Sequence, residues 1–112
     1  MYAQREELFE RLMAELDTLR RTGQQYAENE ADYRMALRLA ILEERSKGTP
    51  VTIIGDLCRG REEIAEKKQL RDCAEALYKA SSESIMALKL RIKTVDADIQ
   101  RTWTSGGEET YR

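Results

Sequence analysis

The chain of 112 residues contains no histidine. That removes the side chain that titrates nearest neutral pH and serves most often as general base and transition-metal ligand. Its two cysteines, Cys58 and Cys73, form no Cys-x-x-Cys pair, so no zinc site within one chain is expected. Both are expected reduced, packed as small apolar groups. There is no Gly-x-x-x-x-Gly-Lys loop and no Gly-x-Ser-x-Gly elbow, so phosphate-cradling and serine-nucleophile chemistry have no candidate. No apolar run exceeds four residues, as in Leu39–Leu42, far short of a membrane span. Met1-Tyr-Ala-Gln-Arg-Glu-Glu holds no apolar segment of a signal peptide. The expectation is a soluble intracellular chain of one domain, without cofactor or metal and not an enzyme.

What is there is helix-forming. Charged residues make up 36% and hydrophobic ones 41%, with a single proline, the composition of long solvated helices. The net charge is −2, with both signs spread along the chain, so nothing points to nucleic acid or an acidic membrane as partner. Leu8, Leu12, Leu16, Leu19, Gly23, Tyr26, Glu30, Tyr33, Leu37 and Ile41 recur at three- and four-residue steps, predicting a helix over about 5–47. Gly23 and Glu30 interrupt that stripe, and Thr22-Gly23 is a candidate kink or break. Apolar content rises between Ala31 and Leu42, which predicts cover on more than one side. A second stripe runs Ile64, Leu70, Cys73/Ala74, Leu77, Ser81, Ser84/Ile85, Leu88, Ile92, Val95, Ile99, Trp103, predicting a helix over about 61–103. Residues 105–112 have no stripe and are expected to form a mobile tail after a single domain over 1–104.

Between the stripes lies Gly48-Thr-Pro-Val-Thr-Ile-Ile-Gly-Asp-Leu-Cys-Arg-Gly60, with three glycines and the only proline. Gly48 reads as a helix C-cap, and Thr49-Pro50 as N-cap and first position of a short helix over about 50–58. A short strand over Val51–Ile54 is the competing reading. A short connector makes the long helices antiparallel. The fold expected is therefore all-α, a long antiparallel hairpin with a short helix at the turn. One hairpin buries a single seam, so a homo-oligomeric bundle is expected, most simply a dimer. Leu37, Ile41, Ile54, Leu57, Leu77, Leu88, Ile92, Val95 and Ile99 are the expected core and oligomer residues.

Two charged constellations stand out. Glu62, Glu63, Glu66, Asp72 and Glu75 resemble the carboxylate sets that hold Mg²⁺ in all-α nucleotide pyrophosphohydrolases. Those sets converge from two helices, whereas these lie on one helix and point round it, so solvated partners for Lys67, Lys68, Arg71 and Lys79 are the better reading. Around the turn, Arg59, Arg61 and Arg71 with Thr49 form a candidate anion site, with Tyr33 and Tyr78 as flanking aromatics. Interleaved acids argue against duplex DNA readout by a helix-turn-helix.

Ala31-Asp-Tyr-Arg-Met-Ala-Leu, the Gly48–Gly60 stretch, Arg71-Asp-Cys-Ala-Glu-Ala-Leu-Tyr-Lys-Ala and Asp98-Ile-Gln-Arg-Thr-Trp103 resemble a family of small helical proteins encoded by phages and prophages of Gram-positive bacteria. The likeness covers roughly residues 26–103. It implies a viral or prophage origin, residence in the cytoplasm of the bacterial host, and no catalytic residue to carry over. The expected function is that of a non-enzymatic accessory protein acting by binding to a host protein or a signalling ligand, as an anti-defence inhibitor or a sponge for small nucleotides. A scaffold or DNA-transaction component is the alternative, and an acid-cluster Mg²⁺ nucleotide hydrolase the remote one.

Overall fold

In the computed structural model the described backbone covers residues 1–110 and the described side chains residues 1–104. Three helices form, α1 (Tyr2–Ser46), α2 (Val51–Arg59) and α3 (Glu62–Thr110), with no strand among the described residues. The strand reading of Val51–Ile54 is thus replaced by helix. The tail expected over 105–112 falls outside the described side chains, and residues 111–112 outside the described backbone.

α1 ends where glycine allows it. Gly48 takes φ +80°, the left-handed conformation that costs a residue without Cβ least. Its N–H donates to the Arg45 carbonyl at 3.1 Å, and the Thr49 N–H donates to the Glu44 carbonyl at 3.1 Å. This pair of bonds is a Schellman closure, and it satisfies carbonyls that the helix end would otherwise leave open. Pro50, with φ −57° and ψ 134°, then turns the chain into α2. Here the structure corrects the N-cap expectation. Pro50, not Thr49, occupies the cap position of α2, with no side-chain cap bond. The Schellman closure consumes the Thr49 N–H, and the Thr49 hydroxyl turns back to donate to Glu44 Oε2 at 2.7 Å. Only Gly60 and Arg61 separate α2 from α3, and the Arg61 carbonyl accepts the Ala65 N–H at 2.9 Å. Glu62 and Glu63 follow in the first turn, where carboxylates suit the helix dipole.

The chain divides into two compact units. The one spanning 21–79 has a core of Tyr33, Ala40, Ile54, Cys58 and Ile64, against which Ala36, Leu37 and Ile41 pack. Within it α1 and α3 pair in opposite directions: Arg61 meets Glu43 and Glu44, Arg71 meets Glu30, and Tyr78 meets Tyr26. The other unit joins residues 1–20 to the segment from Ala80 onward. Its core is Leu8, Leu88, Ile92 and Val95, with Leu12 and Ile99 packed on it, and Arg5 bonds Asp96 beside it.

Gly23 does not break α1. An ideal Cβ at this position would stand 3.0 Å from Cε2 and 3.2 Å from Cδ2 of Tyr78, so the missing side chain is a seat for the tyrosine ring. The stripe of α3 also differs from the expected one. Leu70 and Leu77 are exposed, at 60% and 62%, while Ala74, Ser81 and Ile85 are buried and Arg71 is half-buried. Leu77 therefore lies outside the core of this chain. So does Leu57, 48% exposed, whereas Ile54 beside it is buried.

Candidate functional site

The six residues expected at a ligand site fall into distinct groups within the 21–79 unit. At the first, Arg61 is inserted between two carboxylates of α1. Its Nη1 donates to Glu43 Oε2 at 2.8 Å and its Nη2 to Glu44 Oε1 at 2.6 Å. The other oxygen of Glu44 takes the Thr49 hydroxyl, and Lys47 Nζ stands 3.8 Å from Oε1. The Thr49 bond and then Arg61 hold the Glu44 carboxyl below the usual carboxylate range. The same carboxylates, Glu43 first, raise the Arg61 guanidinium further above its ordinary value. Thr49 and Arg61 thus meet on Glu44 as a clasp over the connection of the helices, the guanidinium charge facing two carboxylates.

The second group joins Tyr33 and Arg71. The guanidinium carbon lies 4.7 Å from the ring centroid of Tyr33, a cation–π geometry. Nη2 donates to Asp72 Oδ1 at 2.9 Å, and Nη1 stands 3.5 Å from Glu30 Oε2. Glu30 also accepts from Arg34 Nε at 2.6 Å, and Asp72 from Lys68 Nζ at 2.9 Å. The Arg34 bond, with the charge of Arg71, lowers Glu30, although its partial burial pulls the other way. Lys68 and then Arg71 lower Asp72. Asp72 in turn raises Arg71. Glu30, which interrupts the apolar stripe of α1, is thus the counter-charge of an arginine on the stripe of α3. Sequence reasoning missed Glu30 and Glu44 as partners. The signal was there, because a charge on a buried stripe requires an opposite charge facing it.

Tyr78 belongs to a third group. Its ring lies 6.1 Å from that of Tyr26, tilted by 32°, and over Gly23. Arg59 folds back along α2, its Nη1 within 3.1 Å of where a Cβ on Gly55 would stand. It also lines an open depression of about 390 Å³ with Lys68, Asp72, Cys73 and Ala76. Asp72, already held by Lys68 and Arg71, is the acid in that depression, so Lys68 there faces an internal counter-charge. Cys73 is an exposed free thiol there and Cys58 a buried one.

Of the acidic set, Asp72 pairs with Lys68 and Arg71, and Glu75 with Lys79 at 2.8 Å. No three Cys, Asp or Glu side chains among the described residues come together as metal ligands. No helix among them is long and apolar enough to cross a membrane. Among the side chains the unit leaves exposed are large apolar ones: Met35, Leu39 and Leu42 on α1, Val51, Ile53 and Leu57 on α2, Leu70 and Leu77 on α3. Compared with known proteins, the chain matches no family model, no curated protein and no solved structure.

Proposed function

We propose that this protein is a non-enzymatic accessory protein of phage type that acts by occupancy. In this reading it assembles through its uncovered apolar faces into a homo-oligomeric bundle of helical hairpins. The assembly then engages a host factor in the bacterial cytoplasm. The observation that carries the reading is where unsatisfied chemistry remains. Arg61 and Arg71, the best candidates for gripping an anion, are each held by two carboxylates. Met35, Leu39, Leu42, Leu70 and Leu77 are all 48% exposed or more. Burying such a side chain fully is worth roughly 1.5–3 kcal/mol. Covering the exposed parts of Met35, Leu39 and Leu42 alone on two chains yields roughly 5–10 kcal/mol, comparable with the roughly 4–15 kcal/mol that association costs. Assembly is therefore within energetic reach, and a small-nucleotide sponge is the weaker form of the binding reading.

Sedimentation velocity over a hundredfold concentration range tests this. The expected result is one fixed small oligomer. A mass equal to one chain at all concentrations overturns the assembly, and open-ended growth with concentration replaces it with a scaffold. Calorimetric titration with cyclic di- and trinucleotides is expected to show no heat of binding.

A further inference from the structure

We infer that the outer face of α1 over residues 35–43 is the contact between two copies of this chain, joined in parallel. The inference rests on the assembly reading above and names its surface, register and polarity. Tyr33, Leu37 and Ala40 face or border the core of the 21–79 unit. Met35, Leu39 and Leu42 each stand two residues beyond one of these, about 200° round the helix. They are exposed at 65%, 61% and 48%. α1 is thus apolar on two opposite faces, and α2 and α3 cover one of them.

The spacing of the outer face decides its occupant. Steps of four and then three place Met35, Leu39 and Leu42 at the d, a and d positions of a heptad. In that register Arg38 falls at g and Glu43 at the following e. These are the two positions that face each other between parallel helices, with g of one chain reaching e of the other. A second copy supplies the complementary pattern twice over: Arg38 of each chain opposite Glu43 of the other. In an antiparallel pair g faces g and e faces e, so Arg38 would meet Arg38 and Glu43 would meet Glu43. Charge therefore selects the parallel arrangement. Arg38 has no ion-pair partner among the described residues, and is available. Glu43 accepts from Arg61 on Oε2, but its side chain remains 62% exposed. Asp32 and Ser46 occupy the next a positions on either side, which ends the seam after about two turns. The contact is short, and its affinity is correspondingly modest.

The test uses the full chain in sedimentation equilibrium, with circular dichroism at each concentration. Leu39→Ser is expected to shift the equilibrium to monomer without loss of helix, because Leu39 lies outside the chain's own core. Arg38→Glu sets a carboxylate at that position against Glu43 of the other chain on both sides of the seam. It is expected to weaken association about tenfold, the scale of two exposed pairs turned from attraction to repulsion. Glu43→Arg weakens it further than Glu43→Gln does, the glutamine serving as the control that loses the Arg61 bond without reversing the charge. Mixing the two variants restores association to the wild-type level, since every pair in the mixed dimer is then attractive. The double variant Arg38→Glu/Glu43→Arg, alone, associates more tightly than either single variant, although its position 43 no longer accepts from Arg61. In an antiparallel seam like charge faces like in the wild type and in both single variants, so neither single reversal would weaken association. A wild-type monomer overturns the assembly reading and this inference together. An oligomer indifferent to Leu39→Ser overturns this inference alone. An oligomer that responds to Leu39→Ser but not to the single charge reversals overturns the parallel register.

Discussion

A glycine in a helix interior costs about 1 kcal/mol relative to alanine, so Gly23 in the middle of α1 needs a reason. Tyr78 supplies it, since its ring occupies the space where a Cβ would project. The consequence is a coupling. In a Tyr78→Ala background, Gly23→Ala should stabilise the chain by about 1 kcal/mol, the plain propensity gain. With Tyr78 in place the gain should shrink or reverse, because the ring must move. Urea unfolding of the four chains measures the difference, and equal gains in both backgrounds would show that the ring is no constraint. Glu44 makes a second residue-scale case. Its carboxyl is held below its ordinary value of 4.5 by Thr49 and Arg61. A group depressed in the folded state contributes stability that is present above the unfolded value and lost as pH falls through the folded one. Glu44→Gln should therefore lower Tm at neutral pH, and its Tm should converge on that of the unmodified chain as pH falls below about 4.5. Parallel curves across that window would mean that the charge of Glu44 contributes nothing through Thr49 and Arg61.

At the scale of elements, α2 is a nine-residue helix that does not stand by itself. Its place is set by Ile54 and Cys58, which reach into the cluster with Tyr33, Ala40 and Ile64. Ile54 is 4% exposed, so Ile54→Ala should cost about 2–5 kcal/mol, as emptied core sites do. Leu57, on the flank of the same helix and 48% exposed, should cost less than about 1 kcal/mol when changed to Ala in the dissociated chain. Chemical unfolding at low and high protein concentration compares them. A Leu57→Ala cost that appears only at high concentration would place this flank under another copy. The clasp of Arg61 with Glu43, Glu44 and Thr49 spans the same connection by polar contacts. α2 is thus held from beneath by apolar side chains and along its exit by charge.

For the molecule as a whole, apolar period, the scarcity of glycine and proline, and the one cluster of turn residues between 48 and 60 determine three helices and where α1 and α2 end. Those properties are local: a left-handed Gly48, a proline without an N–H, and a 3.6-residue period act on the chain wherever it lies. They also place Leu88, Ile92 and Val95 in cores, because each sits on a stripe with no large apolar residue directly beside it in the chain. What local pattern leaves open is phase. Around Leu70–Tyr78, the set Leu70, Cys73, Leu77 and the set Arg71, Ala74, Tyr78 have the same spacing and lie one residue, about 100°, apart. Apolarity alone favours the first set, yet the second faces α1, because Glu30 and Tyr33 there receive Arg71 and Gly23 receives the Tyr78 ring. For the same reason the candidate anion site was only half legible. Its arginines and tyrosines, and Asp72 beside Arg71, can be read from the chain, but the other counter-charges, Glu43, Glu44 and Glu30, lie 17 or more positions away from Arg61 and Arg71. Period and capping determine the helices. Only the pairing of one helix with another decided which face is buried, which charges are paired, and which apolar side chains stay exposed.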